Sequence, residues 1–400
     1  MRTPIAESHY CYGMTAAAQA LTQDEELHWL ALKLVPGLGT RRSVQLIEHY
    51  RTPQAVFRAS PSELEAAGVS GSVARSIASG CTFDDAVEQH QKMINCGAAL
   101  IAITDPRYPQ RLREIFDPPL AMFARGRVDL LGYLQLGIVG TRRPTVYGVT
   151  ATERLAADLA QAGLVITSGM ARGIDTAAHK AALARGGDTI AVFGCGVDLV
   201  YPAENRKLAA DIAQKGLLLT EYPMSSPAYP QNFPVRNRII SGMSAGVLVV
   251  EGAQYSGSSI TARMAMEQQR EVFAVPGSIM SKMSWGPNLL IKQGAKLVQD
   301  WNDVVVELPA PDRRTLIAKA QARQGILPLD DKPTGSEQPE LSPMSRKLLN
   351  SLRPDEQAHI DKLLESFEPA SSSEIVAALF ELEMSGLVRQ LPGRNFVRVW

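Results

Sequence analysis

What this 400-residue chain lacks narrows its function before any motif is read. Its four cysteines (Cys11, Cys81, Cys96, Cys195) form no CxxC pair, and its six histidines show no ligand spacing. Neither a disulfide framework nor a metal site is expected, and a reducing cytoplasm fits. No apolar run approaches the ~20 residues of a membrane helix, and the first twenty residues lack the continuous apolar core of a secretory signal. The Walker pattern GxxxxGK[ST] is missing, so no apparatus for nucleoside triphosphate hydrolysis is visible and no cofactor is expected. Net charge is also missing. Lys+Arg and Asp+Glu stand at 41 each, so any site for a polyanion must be a local patch.

What is present reads as globular: 45% hydrophobic and 20% charged residues, in a length that suits two or three domains. Residues 1–22 read as a loose tail, with Met14 a second candidate start. Residues 23–97 read as short helices, with Leu27, Leu30, Leu34, Val44 and Ile47 at helical spacing. Between them Val35-Pro36-Gly37-Leu38-Gly39 makes a helix-hairpin-helix whose glycines would let backbone amides approach a phosphate. A weaker copy lies at Gly68-Val69-Ser70-Gly71. The nearby acids Glu63, Glu65, Asp84 and Asp85 favour a purely structural bundle over DNA contact. Six prolines between Leu308 and Pro343 predict an extended linker over 308–344, leaving a small C-terminal domain at 345–400.

Residues 98–307 alternate apolar runs (Leu136–Val139, Leu164–Thr167, Thr189–Phe193, Leu217–Leu219, Val247–Val250, Val272–Val275) with helical patterns such as Ala151–Ala162, Asp175–Arg185 and Ile260–Gln269. That order predicts an α/β domain, a Rossmann-like, doubly wound, mostly parallel sheet. Ligands of such sheets bind in the loops at the carboxyl ends of the strands. Here the loops are rich in glycine, serine and arginine. Val139-Gly140-Thr141-Arg142-Arg143-Pro144 offers two guanidinium forks suited to phosphate. Ser168-Gly169-Met170-Ala171-Arg172-Gly173-Ile174-Asp175 is not GxGxxG and exposes backbone donors before a helix. Asp175 and His179, four apart, could form an acid–base pair, but a helix cap and a packed imidazole suit them better. Cys195, between Gly194 and Gly196, has no basic neighbour and reads as packing. A fourth loop, Phe233-Pro234-Val235-Arg236-Asn237-Arg238, combines an aromatic ring with two arginines, as stacking plus phosphate contact requires. A fifth runs from Glu251 through Ser256 and Ser258 to Thr261. With no metal ligands or catalytic dyad, the set favours binding a polyanion over chemistry on it.

These residues together resemble the DNA-processing protein A (DprA/Smf) family. The resemblance runs through Arg107-Tyr108-Pro109, Val139–Arg143, Ser168–Asp175 with Ala178-His179, Tyr201-Pro202, Phe233–Gly242, Ser256–Ala262, Val275-Pro276-Gly277 and Gly286–Ile291. Pro144, where Ser or Ala is common, and Glu251-Gly252-Ala253, in place of Glu-Ala, depart from it without removing a charge. The resemblance implies a SAM-like N-terminal domain, a C-terminal winged helix, binding of single-stranded DNA, loading of the RecA recombinase in natural transformation and recombination, and homodimerisation. It assigns DNA contact to Arg142, Arg143, Ser168, Gly169, Arg172, Gly173, Gly194, Phe233, Arg236, Asn237, Arg238, Ser256 and Ser258, and a dimer or partner contact to Leu289, Leu290 and Ile291.

The C-terminal stretch predicts helices at Arg346–Leu352, Gln357–Phe367 and Ser372–Ser385, then a ribbon at Leu387–Trp400 turned at Pro392-Gly393. The third helix carries Glu374, Glu381 and Glu383 and no Lys or Arg, which favours protein contact over a DNA groove. The rival reading is a nucleotide-processing enzyme of the phosphoribohydrolase type, which would need a Pro-Gly-Gly-x-Gly-Thr loop beside a catalytic glutamate. The corresponding stretch here is Glu251-Gly252-Ala253-Gln254-Tyr255-Ser256-Gly257.

Overall fold

The computed structural model describes residues 21–323 except 255, and 342–352, 358–367, 370–384, 387–391, 393 and 395–398. The anticipated tail before Leu21, the linker residues 324–341 and the proline of the Pro392-Gly393 turn lie outside the described residues. The rest forms two compact units, 21–323 and 342–398.

The first unit opens with six helices: α1 (Gln23–Leu34), α2 (Thr40–Tyr50), α3 (Pro53–Arg58), α4 (Pro61–Ala66), α5 (Gly71–Ser79) and α6 (Phe83–Cys96). Local chemistry sets their starts. Thr22 with Glu25 and Ser60 with Glu63 form capping boxes, each satisfying two orphan amides of a first turn. Gly37, at φ +77°, makes the hairpin between α1 and α2 that the sequence predicts. Trp29, Leu30, Leu46, Ile77 and Met93 fill the bundle core.

The sheet follows, as β1 (Ala99–Ala102), α7 (Gln110–Arg113), β2 (Ala121–Gly126), β3 (Gln135–Val139), α8 (Val146–Gln161), β4 (Val165–Ser168) and α9 (Ile174–Ala184). It continues with β5 (Thr189–Val192), α10 (Arg206–Lys215), β6 (Leu217–Thr220), α11 (Asn232–Met243), β7 (Gly246–Val249) and α12 (Gly257–Glu267). It ends with β8 (Glu271–Ala274), α13 (Trp285–Lys292), β9 (Lys296–Leu297), α14 (Trp301–Glu307) and α15 (Ala310–Arg323). The nine strands lie in the order β1-β2-β6-β5-β4-β3-β7-β8-β9. From β6 to β9 every pairing is parallel, and β2 joins β6 antiparallel. The doubly wound sheet is thus as expected, with an antiparallel margin that the short runs at 99–102 and 121–126 did not announce.

Strand side chains alternate between two apolar clusters, one on each face. Val247 and Val249 pack with Ile240, Ala262 and Leu290, whereas Leu248 and Val250 pack with Leu155, Ile174 and Ala178. A period of two explains the split, and burial on both faces explains why the strands read as unbroken apolar runs.

The linker expected over 308–344 does not begin at 308. Residues 310–323 are α15, and Leu308 and Leu316 are buried in the second cluster. Pro309 precedes that helix and Pro311 falls in its first turn, where proline costs no intrahelical hydrogen bond.

The second unit comprises α16 (Pro343–Ser351), β10 (Ala358–His359), α17 (Ile360–Ser366), α18 (Ser372–Met384), β11 (Val388–Leu391) and β12 (Asn395–Arg398), with strand order β10-β12-β11. Leu348, Leu363, Ile375, Leu379, Leu382 and Phe396 form its core. The arrangement is a winged helix. Its middle helix starts at Ile360 instead of Gln357, because Ala358 and His359 pair with β12 and His359 caps α17.

Candidate functional site

Strand order turns around at β3. Strands β4 to β6 run out on one side and β7 to β9 on the other, so the loops after β3 and β7 part at the switch point where such sheets bind ligands. An open cleft of about 410 Å³ lies there. Arg142, Asp175, Tyr201, Phe233, Arg236, Asn237, Ser256 and Ser258 line it, bringing four of the five loops singled out in the sequence, and Tyr201, to one place.

Phe233 is its centre. The segment read as a loop at 233–238 is helical instead: it belongs to α11, with Pro234 in the first turn, where helix N–H groups lack partners anyway. Asn232 pins the start of that helix by donating from Nδ2 to the Gly194 carbonyl (2.9 Å). The Phe233 ring rests on Gly194, where a Cβ would come within 2.9 Å of it. Arg142 and Arg236 place their guanidinium carbons 5.5 and 6.0 Å from the ring centroid. Tyr201 lies 5.4 Å from it, tilted by 34°. Arg142 is exposed, and its charge and the ring together offer a base-stacking surface with a phosphate arm.

Arg236 has a different part. It is only 3% exposed and donates from Nη1 to the carbonyl oxygens of Gly169 (2.7 Å) and Val192. It ties the ends of β4 and β5 together under the cleft. A side chain on Gly169 would strike this guanidinium. Burial pulls Arg236 down to about 10, opposed by Asp175, so it stays charged at neutral pH. The result is a fixed cation beneath the cleft floor.

Asp175 accepts from the amides of Gly169 (3.1 Å) and Ala171 (3.4 Å), and burial pushes its carboxyl up against those donors and Arg236. His179 is fully buried, its Nδ1 2.7 Å from Thr189 Oγ1. The two form no acid–base pair. His179 packs, as the sequence suggests; Asp175 does not cap α9, whose start has no side-chain cap, but closes the preceding loop on its own amides. Burial raises the Cys195 thiol to about 11, so it is no nucleophile. Ser168 is likewise spoken for: fully buried, it donates to the Ile138 carbonyl (2.6 Å).

Glu251, whose role the sequence reading missed, is 1% exposed and accepts from Thr145 N (2.9 Å) and Oγ1 (2.6 Å). Its carboxylate fills the N-terminus of α8, a favourable place for negative charge. It is therefore not available as the catalytic glutamate of a phosphoribohydrolase. A lone acid directly after an apolar strand was the sequence signal for such a cap.

The remaining site residues divide. Gly173, at φ +78°, packs under Thr141 and Arg142. Arg172 pairs with Glu204 (2.6 Å) on the surface, a bond that competes weakly with other anions. Arg143 is exposed but does not line the cleft. Arg238 corrects the sequence reading. It is buried, bonded to Glu221 (2.7 Å) and 3.0 Å from Asp117, because it faces the opposite side of α11 from the cleft. Of the apolar triplet in α13, Leu290 is core and Leu289 and Ile291 are half-buried. Tyr255 lies outside the described residues, and among the described residues no cluster of metal-ligating side chains occurs.

Fold and site define a Rossmann-like binding protein whose cleft presents an aromatic ring and guanidinium groups, with no dyad, metal site or triphosphate loop among the described residues. Comparison with known proteins gives the family. The model of DNA recombination-mediator protein A matches residues 99–309, and that of the DprA winged helix domain matches 332–394. The chain is 46% identical over 214 residues to DNA processing protein DprA of Bacillus subtilis, covering 53% of this chain and 72% of that protein. It is 34% identical over 402 residues to Protein Smf of Synechocystis, covering 94% and 100%. The X-ray structure of DprA from Streptococcus pneumoniae superposes with a TM-score of 0.64 at 36% identity, covering 72% of this chain and 99% of that one. The chain belongs to the DprA/Smf family.

Proposed function

We infer that the protein binds single-stranded DNA in the cleft around Phe233 and promotes loading of the RecA recombinase onto it, in DNA uptake and homologous recombination. It acts in the cytoplasm as a mediator without catalytic turnover, and as a homodimer through the half-buried Leu289 and Ile291 of α13. The observation that carries the DNA reading is the open cleft in which Phe233 stands between Arg142 and Arg236. A ring takes any base by its face, and the exposed Arg142 meets the backbone, so single strands are preferred over duplex with little base preference.

The test uses Arg142→Ala with Phe233→Ala and leaves the buried Arg236 in place. Stacking contributes about 1–3 kcal/mol per base, so filter binding of labelled single strands should weaken at least tenfold. The salt slope should fall by about 0.7 for the lost phosphate contact. Wild-type affinity in a double variant that keeps its circular dichroism spectrum would overturn the assignment.

A further inference from the structure

A second cleft, of about 480 Å³, opens where the N-terminal helices meet the sheet. One wall is α2, with Arg41, Val44 and Arg51; the other is the stretch from Ile103 to Pro118, with Arg113, Ile115 and Phe116. Three arginines face one carboxylate there, that of Glu48.

Its side chains are set out as a binding site would need. Phe116 is 74% exposed, and the Arg41 guanidinium stands 4.3 Å from its centroid. Arg41 and Arg51 form no salt bridge with any described residue, whereas Arg107, Arg111, Arg127, Arg172 and Arg238 all do. Arg51 ends α2 at φ +71°. Glycine is the residue that adopts such a conformation without strain; an arginine holds it here, with its charge at the mouth of the cleft.

Helix α11 lies between the two clefts. Phe233 begins α11 in the first; five residues on, with a helical rise of about 7.5 Å, Arg238 reaches Asp117, the neighbour of Phe116. Gly242 of the same helix packs against Leu112 and Ile115. Even stacked, a strand advances about 3.4 Å per nucleotide, so roughly 25 nucleotides span about 85 Å, enough to pass round α11 to both clefts.

We propose that the cleft between α2 and residues 103–118 is a second nucleotide subsite for the same single strand. A base lies on Phe116 and the apolar side chains of Val44 and Ile115, and Arg41 and Arg51 take the flanking phosphates. The proposal rests on the central cleft binding DNA and extends the footprint beyond it. An acidic peptide would use the arginines equally well but gives no reason for an exposed ring beside them; ring and cations together match a nucleotide.

The experiment compares oligothymidylates of roughly 6 and 25 nucleotides, near the bottom of and beyond the range of about 4–16 for one site, by fluorescence anisotropy on the full chain. Phe116→Ala with Arg51→Ala should bind the short strand like the wild type and the long strand at least fivefold more weakly. Its salt slope on the long strand should be lower by about 0.7 for the one lost contact, and Phe116→Trp should restore most of the affinity. A thermal midpoint within a degree or two of wild type excludes misfolding. Unchanged long-strand affinity in the double variant overturns this proposal alone. Unchanged DNA affinity together with lost capture of RecA assigns the cleft to a protein partner and overturns it too. Failure of the wild type to bind either oligomer overturns the central reading and this one with it.

Discussion

At the scale of single residues, neighbouring like charges do unlike work. Arg236 and Arg238 stand two apart in the same short motif, yet one braces the cleft floor against two strand ends and the other is locked to Glu221 on the far side of the helix. Two positions on a helix are about 200° apart, so they cannot share a surface. The buried His179 gives a measurable consequence. Burial and the nearby Arg236 hold its imidazole down to about 3, against 6.5 in an unfolded chain. Because the folded value is the lower one, the ring's contribution is fully present above pH 6.5 and is lost as pH falls towards 3. Between pH 7 and pH 5 that amounts to about 2 kcal/mol, at about 1.4 kcal/mol per unit. Urea unfolding at both pH values should show this loss in the wild type, and a loss smaller by that amount in His179→Gln. Parallel pH dependence in the two proteins would contradict it. Residue types were legible in the sequence; their directions were not. Arg142 and Phe233 were named and stand in the cleft, while Ser168 and Arg238 were named for their chemistry and are used up inside the fold.

At the scale of elements, the parallel strands were readable because burial on both faces makes them continuous apolar runs. Helix and loop were harder to separate where proline intervened. Residues 233–238 read as a loop and residues 308–344, with Pro309 and Pro311, as a linker. In both places proline sits before a helix or in its first turn, where its missing N–H costs nothing. The misread α15 is testable because it is part of the body. Leu316 is buried beside Leu308, and Asp312 pairs with Arg111 at 2.6 Å. Leu316→Ala should destabilise the first unit by about 2–3 kcal/mol, the lower part of the range for leucine in a core. If 308–344 were all tether, the urea midpoint would not move. The antiparallel β1 and β2 escaped notice for another reason. They are short, and their residues (Ala99–Ala102, Ala121–Gly126) mix alanine and glycine with few β-branched side chains, so period and propensity both fell silent.

At the scale of the whole chain, two compact units could each hold DNA, and charge decides between them. The winged helix offers α18 where a groove-reading helix would stand, but this helix has no Lys or Arg. Glu381 is engaged by Ser342 and Ser345, and the exposed residues of the helix include Glu374, Val376 and Phe380. A helix set against phosphates needs cations to release counterions; an acidic, apolar face repels the backbone and suits a protein partner. The first unit has no strong net charge either, yet its cations converge: Arg142 and Arg236 at the central cleft, Arg41 and Arg51 at the second. Removing residues 342–400 should therefore leave affinity for single strands within a few-fold of the full chain, with an unchanged salt slope. Each cleft variant, by contrast, lowers the slope by about 0.7 per lost contact. Slope is the better discriminator, since it counts phosphate contacts directly and does not respond to a modest loss of stability. If the truncated chain lost both its affinity and its slope while Arg142→Ala with Phe233→Ala kept both, the strand would belong to the winged helix, and the convergence of arginines at the sheet would need another anion to explain it.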